Sequence, residues 1–115
     1  MKLIIAVIHP YKLEAVRAAL NDLPVCILSV SQVVGLGPES SYTETYRGRE
    51  IRLQRAKLRV EIAANDRLAD QAVEAVIQAT SADASSQAGD SQVYVVELNQ
   101  CVRTRNGERE VALAT

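Results

Sequence analysis

The segment Lys2–Leu20, KLIIAVIHPYKLEAVRAAL, joins two different hydrophobic patterns in one short stretch. Lys2–Ile8 is an almost unbroken apolar run, which is typical of a strand covered on both faces. Pro10 can open a helix, because its missing N–H would have no partner in the first turn. The apolar residues that then recur at helical spacing are Leu13, Val16 and Leu20. We therefore expect a central strand followed by an amphipathic helix that ends near Asn21, before Pro24.

The order of strand, helix and strand recurs later in the chain. Val25–Val34 reads as a second strand, and Lys57–Ile62 alternates between apolar and charged residues, as in a strand with one buried face. Asn65 is a suitable N-cap for a second helix, and Val93–Leu98 is a fourth apolar strand. The expected buried stripe of the second helix consists of Leu68, Ala72, Val73 and Val76.

Two strand–helix–strand units predict an α+β fold, a ferredoxin-like split βαβ sandwich with four antiparallel strands. Both helices then lie on one face of the sheet, and the 115 residues form one domain, 1–115. The other face is left bare. Because Lys2–Ile8 is apolar on both sides, that face needs a cover, and self-association is the simplest one.

The C-terminal segment carries a hairpin signal. Asn106-Gly107 between two alternating segments favours a two-residue β-turn. The expected strands are Cys101–Arg105 and Glu108–Val111. Such a turn would set Arg103 opposite Glu110 and Arg105 opposite Glu108, which matches opposite charges across the hairpin.

A long polar segment separates the second and third strands of the predicted sheet. Val33–Glu50, VVGLGPESSYTETYRGRE, has no apolar period and reads as a loop that is either a mobile connector or functional. Gly35 and Gly37 would let the backbone approach a ligand closely, because neither has a Cβ. Arginines are spread over the loop and its exit among glutamates, which favours a partner-docking surface over a fixed pocket. These arginines are Arg47, Arg49, Arg52 and Arg55.

Composition excludes several functional classes. A net charge of -1 argues against nucleic-acid or anionic-membrane binding, and a chain with four Tyr, no Phe and no Trp lacks base-stacking platforms. The apolar start is too short to span a bilayer, so no direct membrane insertion is expected.

Cys26 and Cys101 are expected to be buried and reduced, in a cytoplasmic protein. His9 is the only histidine, so neither a catalytic constellation nor a metal site is predicted, and an enzyme is not expected.

Arg103 and Arg105 allow two interpretations. Two residues apart in an extended segment, their guanidinium groups share a face that suits polyphosphate or carboxylate ligands. Alternatively they pair with Glu108 and Glu110 on an exposed hairpin, where ion pairs contribute little. Their spacing leaves both open.

The motifs in combination resemble the PII signal-transduction family of nitrogen regulatory proteins over nearly the whole chain. The segments that carry the resemblance are Ile8–Leu13, Val16–Leu20, Gly35–Gly37, Tyr42–Gly48, Lys57–Ile62, Gly89-Asp90 and Val102–Glu108. The resemblance implies a homotrimer whose bare sheet faces pack together, with an adenine nucleotide (ATP, ADP or AMP) between subunits and Mg²⁺ possible with ATP. It also implies that the long loop docks on a transporter, enzyme or regulator protein.

Site residues follow from the resemblance by position. The residues expected at the nucleotide are Ser29, Gly35, Gly37, Glu61, Gly89, Asp90, Ser91, Arg103 and Arg105. Glu61 would lie near the adenine, Gly89-Asp90 would turn backbone N–H groups toward phosphates, and the two arginines would reach the phosphates across the subunit boundary. The residues expected to dock the partner are Tyr42, Glu44, Tyr46, Arg47 and Arg49.

Departures from the family pattern limit these expectations. Ile51 replaces the tyrosine that accepts a uridylyl group in modified members, and Arg49 replaces a serine that some relatives phosphorylate. Glu39 replaces a glutamine that helps to hold magnesium and 2-oxoglutarate; its carboxylate could bind Mg²⁺ but would repel a dicarboxylate. Lys57 matches a lysine that contacts 2-oxoglutarate.

The phosphate-binding segment also differs from the family pattern. Ser81–Gln92 lacks the family's lysine, so weaker ATP binding or a preference for ADP or AMP is expected. The main hypothesis is a nucleotide sensor that acts in nitrogen metabolism. Alternatives are a regulator of inorganic-carbon uptake that senses ADP or AMP with bicarbonate, and a trimeric docking scaffold without ligand sensing.

Overall fold

The computed structural model describes residues 1–34, 41–54, 56–81, 91–102, 104 and 109–110, with the backbone alone at 41–44, 52–54 and 109–110. The strands are β1 (Lys2–Ile8), β2 (Cys26–Val34), β3 (Ser41–Tyr46), β4 (Arg49–Gln54), β5 (Ala56–Ala64), β6 (Gln92–Glu97), β7 (Cys101–Val102) and β8 (Arg109–Glu110). The helices are α1 (Leu13–Asn21) and α2 (Asp66–Ser81), and a 3₁₀ turn over Pro10–Lys12 leads into α1. The predicted position of Pro10 at the start of the first helical segment is confirmed.

The main sheet has the strand order β2-β5-β1-β6, and each neighbouring pair is antiparallel. This is the predicted ferredoxin-like topology, in which β1 and β5 are central and each strand–helix–strand unit contributes one edge strand. The register sets Ile4 opposite Ile62 and Ile5 opposite Glu61. Since residues directly opposite each other share a face, Ile4 and Ile62 lie on one side of the sheet and Ile5 and Glu61 on the other.

Both helices pack on the side of the sheet that carries Ile4 and Ile62. The fully buried side chains on that side come from β1, β5 and both helices; the largest are Ile4, Ile8, Ile62, Val16, Val60 and Val76. The predicted stripe of α2 is confirmed, with Val73 half-buried and with Ala69 and Thr80 as additional buried residues. Asn65 immediately precedes α2, and its carbonyl accepts a hydrogen bond from the Leu68 N–H at 2.9 Å.

The opposite side of the sheet has no covering layer among the described residues. Leu3, Ile5 and Val7 of β1 are only half-buried there. On β6, Tyr94 and Val96 stand opposite Ile5 and Leu3 and are 52% and 47% exposed. The prediction of a bare apolar face is therefore confirmed for the described part of the chain.

The polar segment after β2 contains more regular structure than the sequence suggested. Residues 41–54 form an antiparallel hairpin, β3 and β4, in which Tyr46 pairs with Arg49 across Arg47 and Gly48. These two turn residues have φ values of 52° and 78°, and positive φ at both central positions defines the type I′ turn that suits a two-residue hairpin. The expectation of an irregular loop was wrong here, because polar Thr and Glu residues conceal the two-residue alternation.

Two smaller expectations were also wrong. Glu110 pairs with Cys101, and Val102 with Arg109, so Glu110 is not opposite Arg103. This register is not the one that a two-residue turn at Asn106-Gly107 would give. The thiols are free, as predicted, but Cys26 is exposed and Cys101 is partly exposed rather than buried. Cys26 stands opposite Ala63 on the edge strand β2, away from the face that the helices cover, and Cys101 lies outside the main sheet.

Truncating Ile62 to alanine should reduce the free energy of unfolding by about 2–5 kcal/mol, because the side chain is fully buried and leaves a cavity. Ile77→Ala removes the same atoms from a side chain that is 42% exposed on α2 and should cost only about 0.5 kcal/mol. Urea denaturation at fixed protein concentration measures both. Equal losses would contradict the assignment of the core to the helix-covered side of the sheet.

Gly48→Ala should weaken the hairpin by about 1–2 kcal/mol, because an L-residue with a Cβ is disfavoured at positive φ. No atom lies within 4 Å of the added Cβ, so the effect comes from the backbone alone. Amide hydrogen exchange should quicken in β3 and β4 while protection of β1 and β5 is unchanged. Arg47→Asn is the control, since asparagine tolerates positive φ, and it should preserve the slow exchange. Unchanged exchange in Gly48→Ala would exclude the I′ turn.

Candidate functional site

Two of the predicted nucleotide-binding residues meet on the bare face of the sheet. Ser29 on β2 stands directly opposite Glu61 on β5, and the Ser29 hydroxyl donates a hydrogen bond to Glu61 Oε1 at 3.0 Å. A register shift between Ile27 and Ser29 precedes this pair. Such a bulge changes which residues of an edge strand stand opposite its neighbour. The hydrogen bond fixes the carboxylate and leaves its other lone pairs free to accept hydrogen bonds from a ligand.

Glu61 belongs to a charged row along β5. Lys57, Arg59 and Glu61 are two residues apart and therefore share the bare face. Arg59 is exposed and stands opposite Val7 on one side and Ser31 on the other. It makes no hydrogen bond or ion pair within the described part of the chain. Alternation along β5 predicts Arg59 on this face, but no motif identified it as a site residue.

Lys57 differs from the other two members of the row, because it is only 3% exposed. It stands opposite Val33 near the end of β2, where the chain enters and leaves the hairpin segment. β5 contacts the 3₁₀ turn at this end of the sheet. His9, which precedes that turn, is 4% exposed and stacks on Tyr11 with ring centroids 5.4 Å apart. The buried position of Lys57 was not predictable from alternation alone, which indicated only a polar face.

Ser91 lies immediately before β6. Its hydroxyl oxygen is buried, and no hydrogen-bond partner is found for it within the described residues. A buried hydroxyl without a partner costs about 1–3 kcal/mol, so such a group is a candidate for contact with a ligand. Ser91 is also one of the residues predicted to bind the nucleotide, near the end of the predicted phosphate-binding segment.

The remaining predicted site residues fall outside the described parts of the chain. They are Gly35, Gly37, Glu39, Gly89, Asp90, Arg103 and Arg105. The expected phosphate contacts, and both interpretations of the two arginines, therefore stay predictions.

The predicted docking residues lie on the hairpin. At its tip, the Arg47 guanidinium lies over the Tyr46 ring, 5.4 Å from the centroid, and Tyr46 is 59% exposed. The register sorts the hairpin into two faces. One carries Tyr42, Glu44, Tyr46, Arg49, Ile51 and Leu53, and the other carries only hydroxyl, amide and charged residues. This amphipathic division was not recognised in the sequence. By register, both tyrosines that were predicted to dock a partner fall on the same face of the hairpin.

The described residues hold no group of three or more His, Cys, Asp or Glu side chains that could bind a metal ion. Among the helices described, none is long and apolar enough to cross a membrane.

Comparison with known proteins places the chain in a family. The family model for "Nitrogen regulatory protein P-II" matches residues 1–108. The chain is 40% identical over 111 residues to a nitrogen regulatory protein P-II of Rhizobium etli, an alignment that covers 96% of each. It is 34% identical over 109 residues to the P-II protein of Haemophilus influenzae, covering 94% of this chain and 95% of the relative.

A further relative is the nitrogen regulatory protein GlnK of Escherichia coli K12, which is 34% identical over 113 residues, or 97% of this chain and 98% of GlnK. Similarity at this level extends through both strand–helix–strand units and through the hairpin between them. The chain therefore belongs to the P-II family of nitrogen regulatory proteins, which act in signal transduction.

Proposed function

We propose that the chain is a trimeric adenine-nucleotide sensor that controls a partner protein in nitrogen metabolism through the β3–β4 hairpin. The observation that carries the proposal is the bare apolar sheet face, which holds an oriented carboxylate, Glu61, beside exposed apolar side chains. Self-association would bury the apolar part, and the carboxylate would remain at the boundary between subunits as a ligand contact.

The trimer is supported by the amount of apolar surface that a single chain leaves uncovered. Leu3, Ile5, Tyr94 and Val96 form a contiguous block across β1 and β6. Burying such surface stabilises an assembly by about 25 cal/mol for each Å² removed from water. Closed rotational symmetry lets every copy use the same patch and leaves no patch open, and a ring of three subunits meets that condition.

The nucleotide proposal is supported by the chemistry of the groups on this face. The Glu61 carboxylate, held by Ser29, can accept a hydrogen bond from the exocyclic amine of adenine. The buried Ser91 hydroxyl can donate to a phosphate or ribose oxygen. Gly35, Gly37, Gly89 and Asp90 are proposed to supply backbone N–H groups to the phosphates. Arg103 and Arg105 are proposed to reach the same phosphates from the neighbouring subunit.

The cofactor is proposed to be ATP, ADP or AMP, with Mg²⁺ accompanying ATP. Because Ser91 and Gln92 replace the family's glycine and lysine, one positive charge is missing near the phosphates. Coulomb attraction grows with the charge of the phosphate chain, so loss of this positive charge should weaken the binding of ATP more than that of AMP. Glu39 and Lys57 are the residues through which Mg²⁺ or an effector would act.

Control of the partner is proposed to occur through the tyrosine-bearing face of the hairpin. Tyr46 and Ile51 are exposed there, at 59% and 37%, and Arg47 and Arg49 add positive charge at the tip. Aromatic and arginine side chains are enriched at protein interfaces. Since residue 51 is Ile, which has no hydroxyl group, the hairpin would respond to bound ligand without covalent modification at that position.

The missing lysine also favours a second candidate, a regulator of inorganic-carbon uptake that senses ADP or AMP together with bicarbonate. A third, a docking scaffold without ligand sensing, would assemble and bind its partner regardless of nucleotide. Measuring partner binding with and without each nucleotide, and with bicarbonate, separates the three.

Val96→Asp should convert the trimer to smaller species in sedimentation velocity, because it places a charge in the proposed interface. Ile77→Asp is the matched control: Ile77 is 42% exposed on α2, compared with 47% for Val96, but it lies on the other side of the sheet. The control should remain trimeric. A monomeric parent chain, or a trimer that tolerates Val96→Asp, would contradict the proposed interface.

Isothermal titration calorimetry should detect binding of at least one of ATP, ADP and AMP to the parent protein. Arg103→Ala should weaken that binding by about 1.5–3 kcal/mol, as expected for loss of a charge-assisted hydrogen bond.

The matched control for Arg103→Ala is Arg17→Ala. Arg17 pairs with Glu14 at 3.3 Å on the exposed side of α1, so its removal should leave the affinity unchanged. Failure of all three nucleotides to bind at millimolar concentration would exclude the sensor. An unchanged affinity in Arg103→Ala would favour the other interpretation of that arginine, an ion pair within the C-terminal hairpin.

A further inference from the structure

An apolar groove lies between the two helices, on the outer side of the helical layer. It has a volume of about 450 Å³, and its floor is formed by Ala19, Leu23 and Ala75. Leu23 and Ala75 also pack against the buried core, so the groove is a place where core side chains reach the surface. Small side chains at its floor would allow a further helix to approach α1 and α2 closely.

The rim of the groove is acidic. Asp22 lies at the end of α1, and Asp70 and Glu74 lie one turn apart on α2. Within the described chain, none of these three carboxylates takes part in an ion pair. Arg67 lies one turn before Asp70 on α2 and is the cationic residue nearest to Asp70 in sequence. It also makes no ion pair with any described residue.

The end of α1 adds to this negative potential. Asp22 occupies its C-cap position, and no basic residue is present in its last turn. Since the C-terminal end of a helix carries a partial negative charge, cations are favoured there and a carboxylate is unfavourable. The Asp22 carboxylate at the end of α1 is therefore electrostatically unfavourable in the isolated subunit, and a positively charged group bound beside it would offset that repulsion.

We propose that this groove docks a basic amphipathic helix of a partner protein, with leucine-like side chains on the floor and Lys or Arg side chains against Asp22, Asp70 and Glu74. Charge complementarity selects this occupant: a second copy of the same groove would bring like charges together, and an anionic segment would be repelled. Helices that lay an apolar stripe into a groove are a common mode of recognition.

The groove lies on the opposite side of the sheet from Ser29 and Glu61. A trimer built on the bare sheet face would leave the groove open on every subunit. The proposal is therefore independent of nucleotide binding and adds a second protein-binding surface to the one on the hairpin.

The test uses a fluorescein-labelled peptide of about 14 residues, roughly four helical turns, with Leu along one stripe and Lys beside it. Fluorescence anisotropy against the full chain should give saturable binding that weakens as salt is added. The same peptide with Glu in place of Lys, and a scrambled Leu/Lys peptide, should bind much more weakly. In the parent protein, the methyl resonances of Leu23 should shift on titration.

Asp70→Lys combined with Glu74→Lys should lower the affinity for the peptide by about tenfold or more, because two attractive charge contacts become repulsive. The matched control, Glu14→Lys with Glu50→Lys, changes the net charge equally at exposed positions away from the groove and should lower affinity by less than about threefold. Arg103→Ala should bind the peptide normally. Circular dichroism verifies that each variant is folded.

Three results would overturn the proposal. One is the absence of saturable binding at millimolar peptide. Another is an equal loss in the two charge-reversal pairs, which would indicate non-specific attraction. The third is a titration in which resonances of the sheet face or the hairpin shift and those of Leu23 do not. None of these results depends on whether the protein binds nucleotide, so failure here and failure of the sensor hypothesis are distinguishable.

Discussion

Strand β1 puts apolar side chains on both of its faces, and the two helices cover only one of them. Ile4, Ala6 and Ile8 are fully buried under α1 and α2, while Leu3, Ile5 and Val7 face a side with no covering layer in the described chain. This asymmetry explains why β1 occupies a central position. A strand that is apolar on both faces at the edge of the sheet would expose backbone groups as well as apolar surface. The bare face is also the surface on which the proposed trimer would assemble.

Much of this fold could be predicted from the sequence, because burial produces a simple period there. The apolar run of β1, the alternation of β5 and the stripe of α2 each follow from one buried face. The β3–β4 hairpin could not be predicted in the same way. Its alternating residues are partly polar, and its turn places Arg47, rather than Asn or Gly, at positive φ. The register of the C-terminal hairpin also differed, since Glu110 stands opposite Cys101 rather than Arg103.

The candidate site was less predictable than the fold, because it depends on contacts between distant segments. Ser29 and Glu61 are 32 residues apart in the chain, and their pairing depends on a bulge in β2 that no residue pattern announces. Only family resemblance identified them beforehand. The burial of Lys57 likewise results from its place at the end of the sheet, near His9, rather than from its position in an alternating strand. Ser91 was identified by resemblance, and its buried hydroxyl gives that choice a physical basis.

The connection between the sheet site and the hairpin follows from chain continuity. β2 carries Ser29 and ends at Val34, and β5 begins at Ala56 and carries Lys57 and Glu61. The same two strands that hold the candidate ligand contacts therefore enter and leave the hairpin segment. A ligand can shift the hairpin only by binding one of its arrangements more tightly than another. Lys57 is buried at the base of that segment and lies on the same face as Glu61, so in the proposed sensor it would be the residue through which a bound ligand acts on the hairpin. By contrast, none of the residues that line the acidic groove belongs to β2 or β5, so a helix bound there would add a partner without reporting the state of the ligand.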